Sequence, residues 1–234
     1  MTPRSVIGAL RSRVRTNGAA PLLTYYDLAS GERTEFSARS VANWVDKTTN
    51  LLDELDARDG IIASPLALSH PAHWVSLIWP LASWQAGAEY RVVGAADTAG
   101  ADVAVIGPDE VAPTDAEVTI ACSLHPLALG LRNLPAGVLD YSTEALSCSD
   151  LAHPAPLAPS QLAWTDAARQ LTHADLVALQ PQTGRVLVRA AGAFDTLRAA
   201  IISPLLGGGS AVLVVGDSDP ERLARLRASE RCVE

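Results

Sequence analysis

The stretch "IIASPLALSHPAHWVSLIWPLASWQAGAEYRVV", residues 61–93, decides the class of the fold. It opens with a short apolar run, Ile61-Ile62-Ala63, of the kind a buried strand shows. From His70 to Gly87 the pattern predicts a helix, with Pro71 in its first turn and Gly87 as its C-terminal stop. Pro80 lacks a backbone donor and predicts a kink there. Residues 88–94, "AEYRVVG", predict a second strand. Strand, helix, strand in alternation implies a right-handed crossover and a mostly parallel sheet.

The alternation continues outward. "ADVAVIGP" (101–108) and "EVTIACS" (117–123) read as further strands. Upstream, "SVIGALRSRVR" is a short amphipathic helix, and "PLLTYYDLASGERTEFS" predicts a β-hairpin turning at Ser30-Gly31. Ser37 is a good N-cap for a helix whose Val41, Trp44, Val45, Thr48, Leu51, Leu52 and Leu55 recur at helical spacing, up to the Asp59-Gly60 break. The Pro- and Ala-rich run 149–160 reads as a linker. Beyond it the pattern predicts a helix near Thr172–Gln180, a strand at "RVLVRA", a helix from Asp195 to Leu206, a strand at "SAVLVV" and a final helix at "DPERLARLRASE". The expected organisation is an N-terminal α/β unit over 1–159 and a smaller, truncated α/β unit over 160–234 packed on it.

Composition narrows the function. A chain of 234 residues with 48% apolar residues is a folded globule rather than a disordered one. Its net charge of −8 argues against nucleic acid or an anionic membrane as partner, since both need clustered cations. Lys47 is the only lysine, so lysine-dependent chemistry must use it or be absent. Cys122, Cys148 and Cys232 are odd in number and far apart, which suits a reduced, cytoplasmic compartment and neither a disulfide framework nor a zinc site. The N-terminal apolar run is too short for a signal peptide, and none reaches membrane-spanning length.

Five segments, in order, resemble the N-terminal part of the adenylate-forming superfamily: acyl-CoA synthetases, peptide-synthetase adenylation domains and luciferases. They are "RTEFSARSVANWVDKTTNLLDEL", "HWVSLIWPLASWQAGAEYRVV", "LTHADL" (171–176), "ISPLLGGGSAVLV" (202–214) and "DPERLARLRASERCV". The closest likeness is to a short, uncharacterised family of adenylation-like proteins. The resemblance implies an α/β fold of three-layer, mostly parallel sheets, like a truncated N-terminal domain of those enzymes.

The departures from the family bear on chemistry. Before "LTHADL" the family carries a Ser/Thr/Gly-rich loop ending in Pro-Lys, whose backbone N–H groups face the ATP phosphates. Here the interval reads Thr165-Asp166-Ala167-Ala168-Arg169-Gln170, with no Gly and no Lys. Asp166 repels a triphosphate, and Arg169 offsets only part of that. Thr165, Asp166, Arg169, Thr172 and His173 are therefore the residues of a degenerate loop, weak cofactor-binding candidates at most. In the family's aromatic-and-His segment Phe194 is present and no His is. The adenine-binding strand, the magnesium-binding acid and the lysine-bearing domain do not occur within these 234 residues. The expectation is no catalytic residue, no cofactor and no metal: a non-catalytic, adenylation-like protein that binds a partner protein or a small ligand. The alternative is a reduced enzyme of the same superfamily that retains acyl or nucleotide binding. A homodimer, or a complex with another protein, is expected through the second unit, whose shortened sheet leaves an edge.

Other features have plainer readings. Gly207-Gly208-Gly209 follows a helix and precedes a strand, the reverse of a phosphate loop, and predicts a left-handed cap. His70 and His73 lack a third metal ligand and suit capping. Thr172 predicts an N-cap with Asp175 at N3, leaving His173 without a nucleophile to serve. Trp74, Trp79 and Trp84 predict core. Cys122, despite nearby His125, predicts a buried strand thiol. "DVAVIGPDE" ends in acids where a parallel sheet puts its ligands.

Overall fold

A computed structural model describes residues 4–109, 111–217 and 219–233. In chain order the elements are α1 (Val6–Asn17), β1 (Pro21–Asp27), β2 (Arg33–Ser37), α2 (Ala38–Glu54), β3 (Ile61–Ala63), α3 (Leu66–Ser69) and α4 (Trp74–Ala86). Then come β4 (Glu89–Arg91), β5 (Val103–Ile106), β6 (Val118–Ala121), β7 (Val138–Asp140), α5 (Tyr141–Ser147), β8 (Leu162–Asp166), β9 (Arg169–Thr172) and α6 (His173–Val177). The chain closes with β10 (Arg185–Arg189), α7 (Ala193–Leu197), a wide-turned segment Arg198–Ile202 leading into α8 (Ser203–Gly207), β11 (Ser210–Val215) and α9 (Pro220–Ser229). The expected α/β class with mostly parallel sheets is what the chain forms.

Two compact units are present, and the break does not fall at Pro159. One unit joins Met1–Ala42 to Val177–Glu234; the other is Asn43–Leu176. The first contains a four-stranded sheet in the order β10-β11-β1-β2. Its N-terminal hairpin is antiparallel, while β1 runs parallel to β11, with Leu23 beside Ala211. Pairing between the two ends of the chain therefore overrides the linker-like composition of 149–160. That run is itself held within the second unit: Asn50 donates to the Ser149 and Leu151 carbonyls at 2.8 and 3.2 Å, Arg58 to the His153 carbonyl at 2.9 Å, and the Ala155 N–H to the Gln85 carbonyl at 2.8 Å.

The second unit contains a seven-stranded sheet in the order β7-β6-β5-β3-β4-β8-β9. Every pair is parallel except β8–β9. Its core is built around α4, all of whose residues are buried. Trp79 stacks near Tyr141 at 5.0 Å and Tyr90 near Trp164 at 5.4 Å between ring centroids. The indole N–H of Trp84 donates to the Ala163 carbonyl at 2.6 Å. Trp84 is thereby fully buried with its polar atom satisfied. Gly87 ends α4 with φ +85°, in the left-handed region that favours glycine, and packs against the Asp59 side chain.

Three local expectations need correction. The helix foreseen from His70 starts at Trp74, because His73 is its N-cap, and residues 66–69 form a separate turn of helix. The segment 165–170 is not a loop but part of an antiparallel hairpin, β8–β9. The helix foreseen to Gln180 stops at Val177, short of Pro181, whose ring disfavours helical geometry at the residue before it.

Candidate functional site

Residues 165–170, the interval that the resemblance sets against a phosphate loop, form the facing ends of β8 and β9 and the turn between them. Asp166 Oδ1 accepts the backbone N–H groups of Ala168 and Arg169 at 2.8 and 2.9 Å. Its other oxygen accepts the Trp164 indole N–H at 2.9 Å and lies 3.3 Å from Arg169 Nε. The carboxylate thus takes the backbone donors that a bound anion would use, and it carries the same charge. Thr165 donates to Glu89 at 2.6 Å, and Glu89 in turn pairs with Arg91 at 2.9 Å. The Arg91 and Thr165 hydrogen bonds outweigh burial and hold the Glu89 carboxyl below its ordinary range.

Thr172 and Asp175 form the expected reciprocal cap. The Asp175 N–H donates to Thr172 Oγ1 at 3.2 Å, and Asp175 Oδ2 accepts from the Thr172 N–H at 2.8 Å and hydroxyl at 2.6 Å. His173 is 3% exposed, its Nε2 makes no hydrogen bond, and its ring meets Trp84 edge-on at 6.3 Å. Burial disfavours the charged ring and lowers its pKa. The five residues singled out in the sequence are brought together, but hairpin and cap account for four of them, and His173 is packed inside. Phe194 lies in the other unit and is buried.

The parallel sheet provides a different cleft. From the central β3 the chain moves to β4 on one side, then crosses back to β5 on the other, and continues outward to β6 and β7. The connections after β3 and β5 diverge, and such a switch point leaves a crevice at the C-terminal ends of the strands. A cavity of about 360 Å³ sits there, lined by Pro65, Leu68 and Ser69 after β3, Gly94 and Ala95 after β4, and Gly107 and Asp109 after β5. Its volume is within the range of small-ligand sites, about 300–1,000 Å³. His70 Nε2 and Asp109 Oδ2 are 2.6 Å apart beside it. The carboxylate selects the Nε2–H tautomer of the neutral ring. Gly107 lets the ring close in, since a Cβ there would lie 3.1 Å from His70 Cδ2.

Sequence reasoning marked the end of β5 as a place and His70 as a capping residue, but it did not join them. Glu110, the second acid of that run, lies outside the described residues. His73 does cap, its Nδ1 accepting the Val75 N–H at 3.3 Å. Cys122 is fully buried and accepts the Trp79 indole N–H at 3.3 Å; burial pushes its thiol pKa far up, which keeps it un-ionised. Gly208 adopts φ +77° at the end of α8, the cap expected of that triplet. Among the described residues, no group of three or more His, Cys, Asp or Glu is placed to hold a metal ion, and no helix is long and apolar enough to cross a membrane.

Comparison with known proteins places this geometry. No family model matches the chain. The fold is similar to that of a Brucella canis acyl-CoA synthetase, with a TM-score of 0.78 at 16% identity, covering 98% of this chain and 46% of that one. Apo MatB from Rhodopseudomonas palustris is similar with a TM-score of 0.69 at 16% identity, over 97% of this chain and 48% of that one. The chain thus spans less than half the length of those proteins and shares the fold of that part. A Mycobacterium tuberculosis (strain ATCC 25618 / H37Rv) protein described as "TIGR03089 family protein" is 34% identical over 98% of this chain and 97% of its own length. With its acyl-CoA synthetase-like fold and that match end to end, the chain belongs to the TIGR03089 family.

Proposed function

We propose that the chain is a non-catalytic, adenylation-like binding protein whose small-ligand seat is the cleft at the ends of β3, β4 and β5. The observation that carries the non-catalytic reading is the Asp166 carboxylate on the Ala168 and Arg169 N–H groups. A triphosphate approaching that turn meets a negative charge and finds its backbone donors already bonded. The test is ATP–pyrophosphate exchange with a panel of carboxylic acids, where background rates are expected. Exchange above background that is lost in Arg169→Ala overturns the reading.

The cleft supports binding by its place and its chemistry. Its lining is apolar on one side, with a histidine–carboxylate pair at the rim, so it suits a small ligand with an apolar body and one polar group. A thermal-shift screen against nucleotides and acyl-CoAs tests it, because a ligand at 100 times its Kd raises stability by about 2.7 kcal/mol. The shift should vanish in Asp109→Asn. The same His70–Asp109 pair favours the second reading, a reduced enzyme, since a histidine oriented by a carboxylate is an arrangement for proton transfer. Turnover of a bound ligand that is lost in His70→Ala would select that reading.

We also infer association through the outer edge of β10. The Ser210 N–H donates to the Gly184 carbonyl and the Ala190 N–H to the Val214 carbonyl, so the even-numbered residues of this segment face β11. The odd-numbered residues point their backbone groups outward, where the Val233 N–H reaches the Arg185 carbonyl at 2.7 Å. Leu187 and Arg189 then offer an open edge to a second copy or another protein. Light scattering at micromolar concentration should show a species larger than the monomer; a strict monomer with no partner overturns the inference.

A further inference from the structure

A second cavity lies wholly within the unit that joins the two ends of the chain. It holds about 350 Å³ between α1 and the end of α8, lined by Gly8, Ser12 and Thr16 among small residues, by Leu205 and Leu206, and by three arginines, Arg4, Arg13 and Arg15. Gly8, Ser12 and Arg15 recur at helical spacing, so one face of α1 carries both the small residues that open the space and one of the cations around it, while Arg4 lies just before the Ser5 cap. Residues 1–26 contain Arg4, Arg11, Arg13 and Arg15 and no Asp or Glu, in a chain whose net charge is −8.

Arg13 is pre-oriented. Its Nη1 donates to the Gly208 carbonyl at 2.5 Å, fixing the guanidinium against the C-terminal end of α8, while its Nε is shielded from solvent and makes no hydrogen bond. Among the described residues Arg4, Arg13 and Arg15 form no ion pair with an acidic side chain, although the same unit binds Arg33 and Arg185 to Glu230. Three unpaired guanidiniums around one concavity leave a positive potential that a surface of ordinary mixed charge does not have. Guanidinium forks match phosphate oxygens two at a time, and the Ser12 hydroxyl adds a donor of the same sense, while the Thr16 hydroxyl is spent on the Ser12 carbonyl at 3.0 Å.

We propose that this cavity binds a small ligand carrying two or more phosphate charges, with Arg4, Arg13 and Arg15 as its cationic contacts. The site is separate from the β3–β5 cleft and does not rest on the reading given to it. A small ligand is favoured over a flat anionic surface because the arginines surround a cavity of ligand size, and two leucines form part of its wall.

Calorimetric titration of the whole chain with inorganic pyrophosphate at low salt tests the proposal, with a nucleoside diphosphate and anionic phospholipid vesicles as parallel arms. Saturable one-to-one binding of pyrophosphate is expected. Arg4→Ala/Arg15→Ala should weaken it about a hundredfold, roughly tenfold per guanidinium contact. Ser12→Leu keeps every arginine but fills the cavity, and should weaken binding about as much as one lost arginine. Arg4, Ser12 and Arg15 are exposed, so the melting temperature without ligand should stay that of the parent chain. The absence of saturable pyrophosphate binding, affinity unchanged in either variant, or binding to vesicles alone would each overturn the proposal.

Discussion

Helices α4 and α9 have the same local grammar and opposite environments. Both have a side-chain N-cap, His73 for one and Asp219 for the other. Every residue of α4 is buried, and none of α9 is. The first helix is held by apolar area and aromatic packing. The second is held by polar clasps: Arg222 donates to the Leu28 carbonyl at 3.3 Å, and Glu230, just past the helix, bonds Arg185 at 2.5 Å, Arg33 at 3.1 Å and the Tyr26 hydroxyl. Caps and propensity decide that a helix forms; what lies against it decides how firmly it stays.

The comparison breaks most visibly at Trp84. Replacing it by alanine should cost about 3–5 kcal/mol, since the large cavity adds to the Ala163 carbonyl left without its donor; denaturant unfolding reads this directly. Glu230→Gln should cost about 1.5–3 kcal/mol in the docking of α9, because charge-assisted bonds to two arginines are weakened. Hydrogen exchange should show faster amides in α9 and unchanged ones in α4. The pH dependence has the same origin. Hydrogen bonds from Tyr26, Arg185 and Arg33 outweigh burial and depress the Glu230 pKa in the folded state. The stability this contributes is present above the ordinary carboxylate value, about 4, and is lost as pH falls through the lower folded value. Acid titration followed by exchange should therefore release α9 while α4 stays protected.

Two smaller effects sharpen the contrast. Thr172→Ala should cost about 1 kcal/mol, as for other N-caps, and chemical denaturation should resolve it. Arg225→Ala removes the Glu221 pair at 3.6 Å, an exposed i,i+4 contact, and should change stability by no more than about 0.5 kcal/mol. A larger loss there would mean that α9 rests on its own surface pairs rather than on Glu230.

The elements with local signals were legible. Ser37, Gly87, Gly208 and the Thr172–Asp175 pair all do what their residue types predict, because caps act within one turn. The β8–β9 hairpin was not legible. Its turn has neither Gly nor Asn, and among the described residues neither Ala167 nor Ala168 has a positive φ, so the usual hairpin dipeptides are absent. Asp166 stands in for them by bonding the backbone two and three residues on, a weaker signal that the sequence did carry. The His70–Asp109 pair was out of reach because it joins the ends of two strands whose adjacency depends on strand order, which no periodicity reveals. The unit boundary failed for the same reason: composition marks where a chain is unlike its surroundings, not which distant strands pair.

The parallel pairing of β1 with β11 imposes an order on synthesis. A ribosome delivers the N-terminal hairpin first, yet its neighbour in the sheet, β11, is the last strand among the described residues. Residues 43–176 contain all seven strands of their own sheet, so that sheet can close while the hairpin is still waiting. Through that interval Leu22, Leu23 and Tyr25, buried in the finished protein, have no sheet to enter. Until β11 is made, the apolar residues of this hairpin lack the parallel neighbour that they have in the finished sheet.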